Sequence, residues 1–166
     1  MRFLVTAIAA LAAALADATV VPYLGVAGAH PHVLVVAGVI WTVAAGVECG
    51  LLWGFLGGLA LDVLAQRPLG STAFVLVATM GAAALLGSSS GRARRLAVVP
   101  IAFVLSLASS LLFIVVYGAL RGPVPEIDPV HVILPGALYD AVLAAAVGPL
   151  VVAAYDRRQP EEGTEW

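Results

Sequence analysis

Four carboxylates, Asp17, Glu48, Asp62 and Asp140, stand within or beside long apolar runs, and they are the residues with most capacity for chemistry. Two aspartates can drive intramembrane proteolysis, the three histidines His30, His32 and His131 can ligate a metal, and Ser88, Ser89 and Ser90 can act as nucleophiles beside a base. Spacing argues against each. Nothing places Asp62 and Asp140 at a common depth, the histidines lack metal-ligand spacing, and all three fall on the opposite side of the apolar spans from the serines. The chain has no lysine, which excludes a P-loop. Lone Cys49 forms no internal disulfide. The expectation is a protein without catalysis, cofactor or metal, whose carboxylates serve structure or recognition.

The elements that hold them are set by composition. Hydrophobic residues make up 62% of the 166 positions and charged residues only 11%, with a mean hydropathy of +1.07. A soluble domain of this length needs a polar exterior that this chain does not have. Its solvent is lipid. The net charge of −2 and the scattered arginines give no basis for nucleic-acid binding.

Apolar runs bounded by turn-prone or charged residues predict six transmembrane helices, at 3–21, 33–47, 51–65, 72–88, 96–120 and 131–155. Arg2, an apolar run and the small residues Ala14 and Ala16 imitate a cleavable secretory signal, but the segment reads as the first span. The middle pair are short: about fifteen residues reach roughly 23 Å, less than a hydrocarbon core of about 30 Å. One unbroken helix over 33–65 would instead reach roughly 50 Å. Six spans with the amino terminus inside put Arg2, Arg92, Arg94, Arg95, Arg157 and Arg158 in the cytoplasm and only Arg67 and Arg121 outside. Merging the pair weakens that asymmetry. The chain therefore reads as one transmembrane domain over 1–156, with both termini cytoplasmic and a polar, disordered tail at 157–166. GSSSG at 87–91 reads as a cytoplasmic loop, and RGPVPEIDP at 121–129 as an outer one.

Within this frame the stretch GLLWGFLGGLALD at 50–62 stands out, because Gly50, Gly54 and Gly58 recur every four residues and the next step is Asp62. In lipid, small residues let helix backbones approach closely, so this stripe predicts a packed face, met either by the protein's own bundle or by a partner's helix. Alanines at the same spacing in the first span, Ala9 and Ala13, Ala10 and Ala14, Ala12 and Ala16, form either a second candidate face or simply an alanine-rich sequence. Each ionisable group in a span costs about 2.5–3.5 kcal/mol and needs an explanation. Glu48 reads as a solvated residue of the turn after span two. Asp17 and Asp62 lie roughly 6 Å from the outer ends of their spans; they could share a water-filled outer cavity, or bond backbone amides and Arg67. Asp140 is near mid-membrane with no arginine at its depth, which predicts a protonated acid or a hydrogen-bonded acceptor facing the bundle interior. Pro100, Pro135 and Pro149 read as backbone punctuation, the last bending the end of span six.

The extended stretch GFLGGLALDVLAQRPLG at 54–70 resembles the signature segment of the rod shape-determining membrane protein family MreD, through Gly54, Gly58 and Asp62 followed by Leu69 and Gly70. Pro31 before the second span and a basic pair closing the last agree with it. Asp140 departs from it, since members of that family more usually carry asparagine there. The resemblance implies a scaffold of the cell-wall elongation machinery in the bacterial inner membrane, binding MreC directly and working with MreB, RodA and the elongation transpeptidase in peptidoglycan synthesis. It also implies a bundle similar to the substrate-binding subunit of energy-coupling-factor transporters. That kinship supplies the alternative, a vitamin-uptake subunit docking through its first span. Thin outer loops, offering only Tyr23, two histidines and the 121–129 segment to a ligand, favour the scaffold.

Overall fold

The computed structural model describes residues 1–23, 31–87, 91–121 and 129–158. They form six α-helices: α1 Arg2–Thr19, α2 Val33–Ala45, α3 Val47–Leu64, α4 Ser71–Leu86, α5 Gly91–Arg121 and α6 Pro129–Arg158, with a short 3-10 turn at Val21–Tyr23 after α1. No strand occurs among the described residues. The chain is an all-α membrane bundle. Four of its helices, α1, α3, α5 and α6, are long and apolar enough to cross a membrane.

The order of packing follows from hydrophobicity. α2 carries no charge and is buried on nearly every side, through Leu34, Val35, Val36, Val39, Ile40, Thr42 and Val43, as a helix apolar all round must be. It is the axis of the bundle and touches each of the other five helices. Outward-facing Leu4 and Ile8 of α1, Phe55 of α3, Val104 and Val115 of α5 and Leu138 and Val142 of α6 are all more than 45% exposed. So many large apolar side chains on every side of a bundle suit hydrocarbon and not water. The small residues of α1 turn inward instead: Ala10 and Ala14 are fully buried, and a Cβ on Gly57 of α3 would lie 3.6 Å from the Ala10 carbonyl oxygen.

One residue separates α2 from α3. Gly46 sits at φ 93°, and its N–H closes α2 on the Thr42 carbonyl at 3.0 Å. That backbone conformation suits glycine and reverses the chain, so the 33–65 stretch is two helices. Glu48, expected in the turn, lies in the first turn of α3, where its carboxylate suits the helix dipole. It is exposed and pairs with Arg2 at 2.9 Å, which brings the start of α1 beside the start of α3. α5 begins five residues earlier than expected, taking the 92–95 basic segment into the helix. α5 and α6 both run through their prolines, so Pro100, Pro135 and Pro149 end neither helix. The serine loop at 88–90, most of the 121–129 loop and the 159–166 tail lie outside the described residues.

α2 and α4 span 13 and 16 residues, about 20 and 24 Å. Both begin at the end of the bundle where α1, α3 and α5 finish, and neither is long enough to match its neighbours. A recess is left there.

Candidate functional site

Three aspartates gather around the recessed starts of α2 and α4. A helix start exposes backbone N–H groups with no partner in their own helix, and in a membrane no water is at hand to satisfy them. Asp62, at the end of α3, is fully buried and answers this for α4. Its Oδ2 accepts from Gly70 N–H at 2.8 Å, its Oδ1 from Thr72 N–H at 3.0 Å, and the Ser71 hydroxyl reaches Oδ1 at 3.2 Å. Asp62 is a cap supplied to one helix by another. Gly70 makes the geometry possible at φ 91°, a left-handed conformation that turns its N–H toward the carboxylate.

The glycine face leads to the same contact. A Cβ on Gly58 would lie 2.6 Å from Ala73 N, and one on Gly54 would lie 2.9 Å from the Leu76 carbonyl carbon. α4 of the same chain fills this face. Gly50 turns elsewhere, toward α2, where its Cβ would be 2.6 Å from Thr42 Cγ2. Arg67 makes no side-chain bond to Asp62; its guanidinium lies over the Phe113 ring at 4.9 Å and reaches Thr72 Oγ1 at 3.5 Å.

Asp140 also serves the start of α2, through a single backbone N–H where Asp62 takes two. Fully buried on α6, it accepts from the His32 backbone N–H at 2.7 Å, contacts His32 Nδ1 at 3.0 Å, and receives the Ser106 hydroxyl of α5. One carboxylate thereby ties α2, α5 and α6 together. Serine, aspartate and histidine occur here in an order that activates nothing: the hydroxyl donates to the carboxylate and not to the imidazole, and Ser106 and Asp140 are both sealed at 0% exposure.

Asp17 of α1 is the third acid. It lies against the backbone amides of Leu34 and Val33 and within electrostatic reach of His32 and Arg67. The recess above these groups is a cavity of about 300 Å³ lined by Asp17, His32, Arg67, Thr72, Ser109 and Ser110 together with apolar side chains of α2, α4 and α5. Asp17 and Asp62 do not share it, because Asp62 is sealed beneath. Among the described residues no group of three metal-ligating side chains occurs.

A family model for the rod shape-determining protein MreD matches residues 1–156. The chain belongs to the MreD family. No curated protein and no solved structure matches it. In this family member the resemblance seen at 54–70 therefore extends over the whole helical bundle, and the segment that carries it is the α3–α4 contact with its carboxylate cap.

The sequence offered His32 as a metal-ligand candidate and did not single out Ser106, yet these two give Asp140 its role. Burial works against the charged imidazole, but the hydrogen bond and charge of Asp140 outweigh it and hold the His32 pKa above its ordinary value. A raised folded-state value contributes stability that is fully present below about pH 6.5, the unfolded value, and is lost as the pH rises through the folded one. In Asp140→Asn the amide oxygen can keep the His32 N–H while its NH₂ donates to Nδ1 and to Ser106 Oγ. Thermal unfolding in detergent should show Asp140→Asn within about 1 kcal/mol of wild type and Asp140→Ala about 3 kcal/mol below it. The asparagine variant should also lose the stabilisation that wild type gains on acidification, because its NH₂ needs an unprotonated Nδ1. Equal losses for both variants would refute the hydrogen-bond assignment.

Proposed function

We propose that this chain is a non-catalytic scaffold of the rod-shape machinery in the bacterial cytoplasmic membrane, binding MreC and through it serving MreB, RodA and the elongation transpeptidase in peptidoglycan synthesis. Family membership over residues 1–156 is the observation that carries the reading. The internal chemistry supports it, since the fully buried acids Asp62 and Asp140 are spent on holding helices. With six crossings and the arginine asymmetry, both termini are cytoplasmic and the cavity end faces outward.

The glycine face supports a particular form of this scaffold. Gly54 and Gly58 are covered by α4, so MreC's single helix docks on the assembled outer surface of the bundle, and Gly50, Gly54, Gly58, Asp62 and Gly70 act by building that surface. Affinity purification of the full chain from native membranes tests the function. MreC in the eluate is the expected result. Transporter ATPases in its place would overturn the scaffold in favour of an uptake subunit.

A further inference from the structure

The cavity holds an acid and a base that no ion pair among the described residues joins: Asp17 has the backbone amides of Leu34 and Val33 against it, with His32 and Arg67 at electrostatic range. Asp17 Oδ1 is buried and has no hydrogen-bond partner, a costly state for a carboxylate oxygen. Arg67 makes no ion pair among the described residues and lies against the Phe113 ring. Around these two, the hydroxyls of Thr72, Ser109 and Ser110 and the half-exposed His32 side chain interrupt walls that are otherwise apolar. About 300 Å³ stands at the lower end of the range for small-molecule sites, roughly 300–1,000 Å³.

We propose that this cavity binds a small amphipathic zwitterion, with its ammonium on Asp17, its anionic oxygens toward Arg67, and its apolar part along Leu34, Val35 and Ile114. Each feature of the ligand answers a feature of the site. A simple cation would meet Arg67, a simple anion would meet Asp17, and a fully polar solute would gain nothing from the walls. The cavity volume limits the bound portion to a single apolar group beside the paired charges. Two sources carry this chemistry: a free apolar amino acid, and the head and glycerol region of an aminophospholipid entering from the membrane. The inference goes beyond the scaffold role and does not depend on it.

The test uses the purified full chain. In one arm L-leucine and L-tryptophan are titrated calorimetrically onto protein in detergent; in the other, native mass spectrometry follows phosphatidylethanolamine retained from nanodiscs against phosphatidylglycerol, which lacks the ammonium. Wild type should bind an amino acid, or retain the ethanolamine lipid in preference. Asp17→Asn and Arg67→Gln should each weaken that binding at least tenfold, while Glu48→Gln, at the other end of the bundle, binds as wild type. Should the charge variants fail to fold, Ile114→Trp fills the cavity without touching its charges and should abolish binding by itself. Absence of binding in both arms, or binding by a folded cavity variant equal to wild type, would overturn the proposal, and neither result would alter retention of MreC.

Discussion

Gly58→Leu is expected to abolish the folded bundle, and Gly58→Ala to destabilise it by about 3 kcal/mol. The reason is backbone and not side chain. An added Cβ would meet Ala73 at its N, 2.6 Å away, and at its Cα, and neither atom can move without shifting α4. That shift would pull Gly70 and Thr72 off Asp62, so the steric cost and the loss of the cap arrive together. Gly54→Leu should be nearly as severe, against the Leu76 carbonyl carbon at 2.9 Å. Gly81 is the internal control, because a Cβ there meets nothing within 4 Å; Gly81→Ala should be neutral or slightly stabilising through helix propensity. Thermal unfolding in detergent, followed by tryptophan fluorescence, separates these outcomes, since Trp53 lies on the same helix as Gly54 and Gly58. If MreC docking proceeds as proposed, its loss in Gly58→Leu should track loss of fold across the series. A Gly58→Leu protein that unfolds like wild type would remove the α3–α4 contact from the explanation altogether.

Much of this architecture was legible in the sequence, and the parts that were not share one physical cause. Six apolar runs give six helices because in lipid every backbone group must bond within its own segment. The Gly54, Gly58 and Asp62 spacing pointed to a close contact because only small residues permit one. Which helix would fill it was not legible, since spacing along one helix says nothing about its neighbour. The choice rests on Gly70, whose positive φ starts α4 directly beneath Asp62. The role of His32 was hidden in a fact already in view, the shortness of the second span. A 13-residue helix that begins below the level of its neighbours carries its preceding residues down with it, so a histidine expected in a loop meets Asp140 inside the bundle. Ser106 could have been found the same way, as the polar residue in the otherwise apolar 101–108 stretch of α5. The expected spans 33–47 and 51–65 put Glu48 in the turn between them, whereas Gly46 alone makes the reversal and Glu48 falls inside α3.

Asp62 allows geometry and charge to be told apart. In Asp62→Ala the N–H groups of Gly70 and Thr72 lose the acceptor that the fully buried carboxylate gave them. Removing one side of a buried, charge-assisted network costs about 3–5 kcal/mol, so this variant should be recovered from membranes in low yield and melt far below wild type. Asp62→Asn should behave differently. With its oxygen at the Oδ2 position, the amide still accepts from Gly70 N–H and Thr72 N–H, which lie 2.8 and 3.2 Å from that atom. Its NH₂ then faces Ser71 Oγ, whose own proton can turn wholly to the Pro68 carbonyl at 2.8 Å. Both backbone donors keep an acceptor, although the new NH₂ stands 3.0 Å from Thr72 N–H where Oδ1 accepted before, and what is also lost is the attraction of a full negative charge for the start of α4, about 0.3–1 kcal/mol at an exposed helix end and up to about 2 kcal/mol when buried. The predicted order of melting temperature is therefore wild type, then Asp62→Asn, then Asp62→Ala by a wide margin. Asp62→Asn/Ser71→Ala sharpens the comparison, because removing the hydroxyl strands the new NH₂ and should cost more than either single change adds. Asparagine as damaging as alanine would mean that the charge and not the hydrogen-bond pattern fixes α4, and that the cap acts through the field of its helix start.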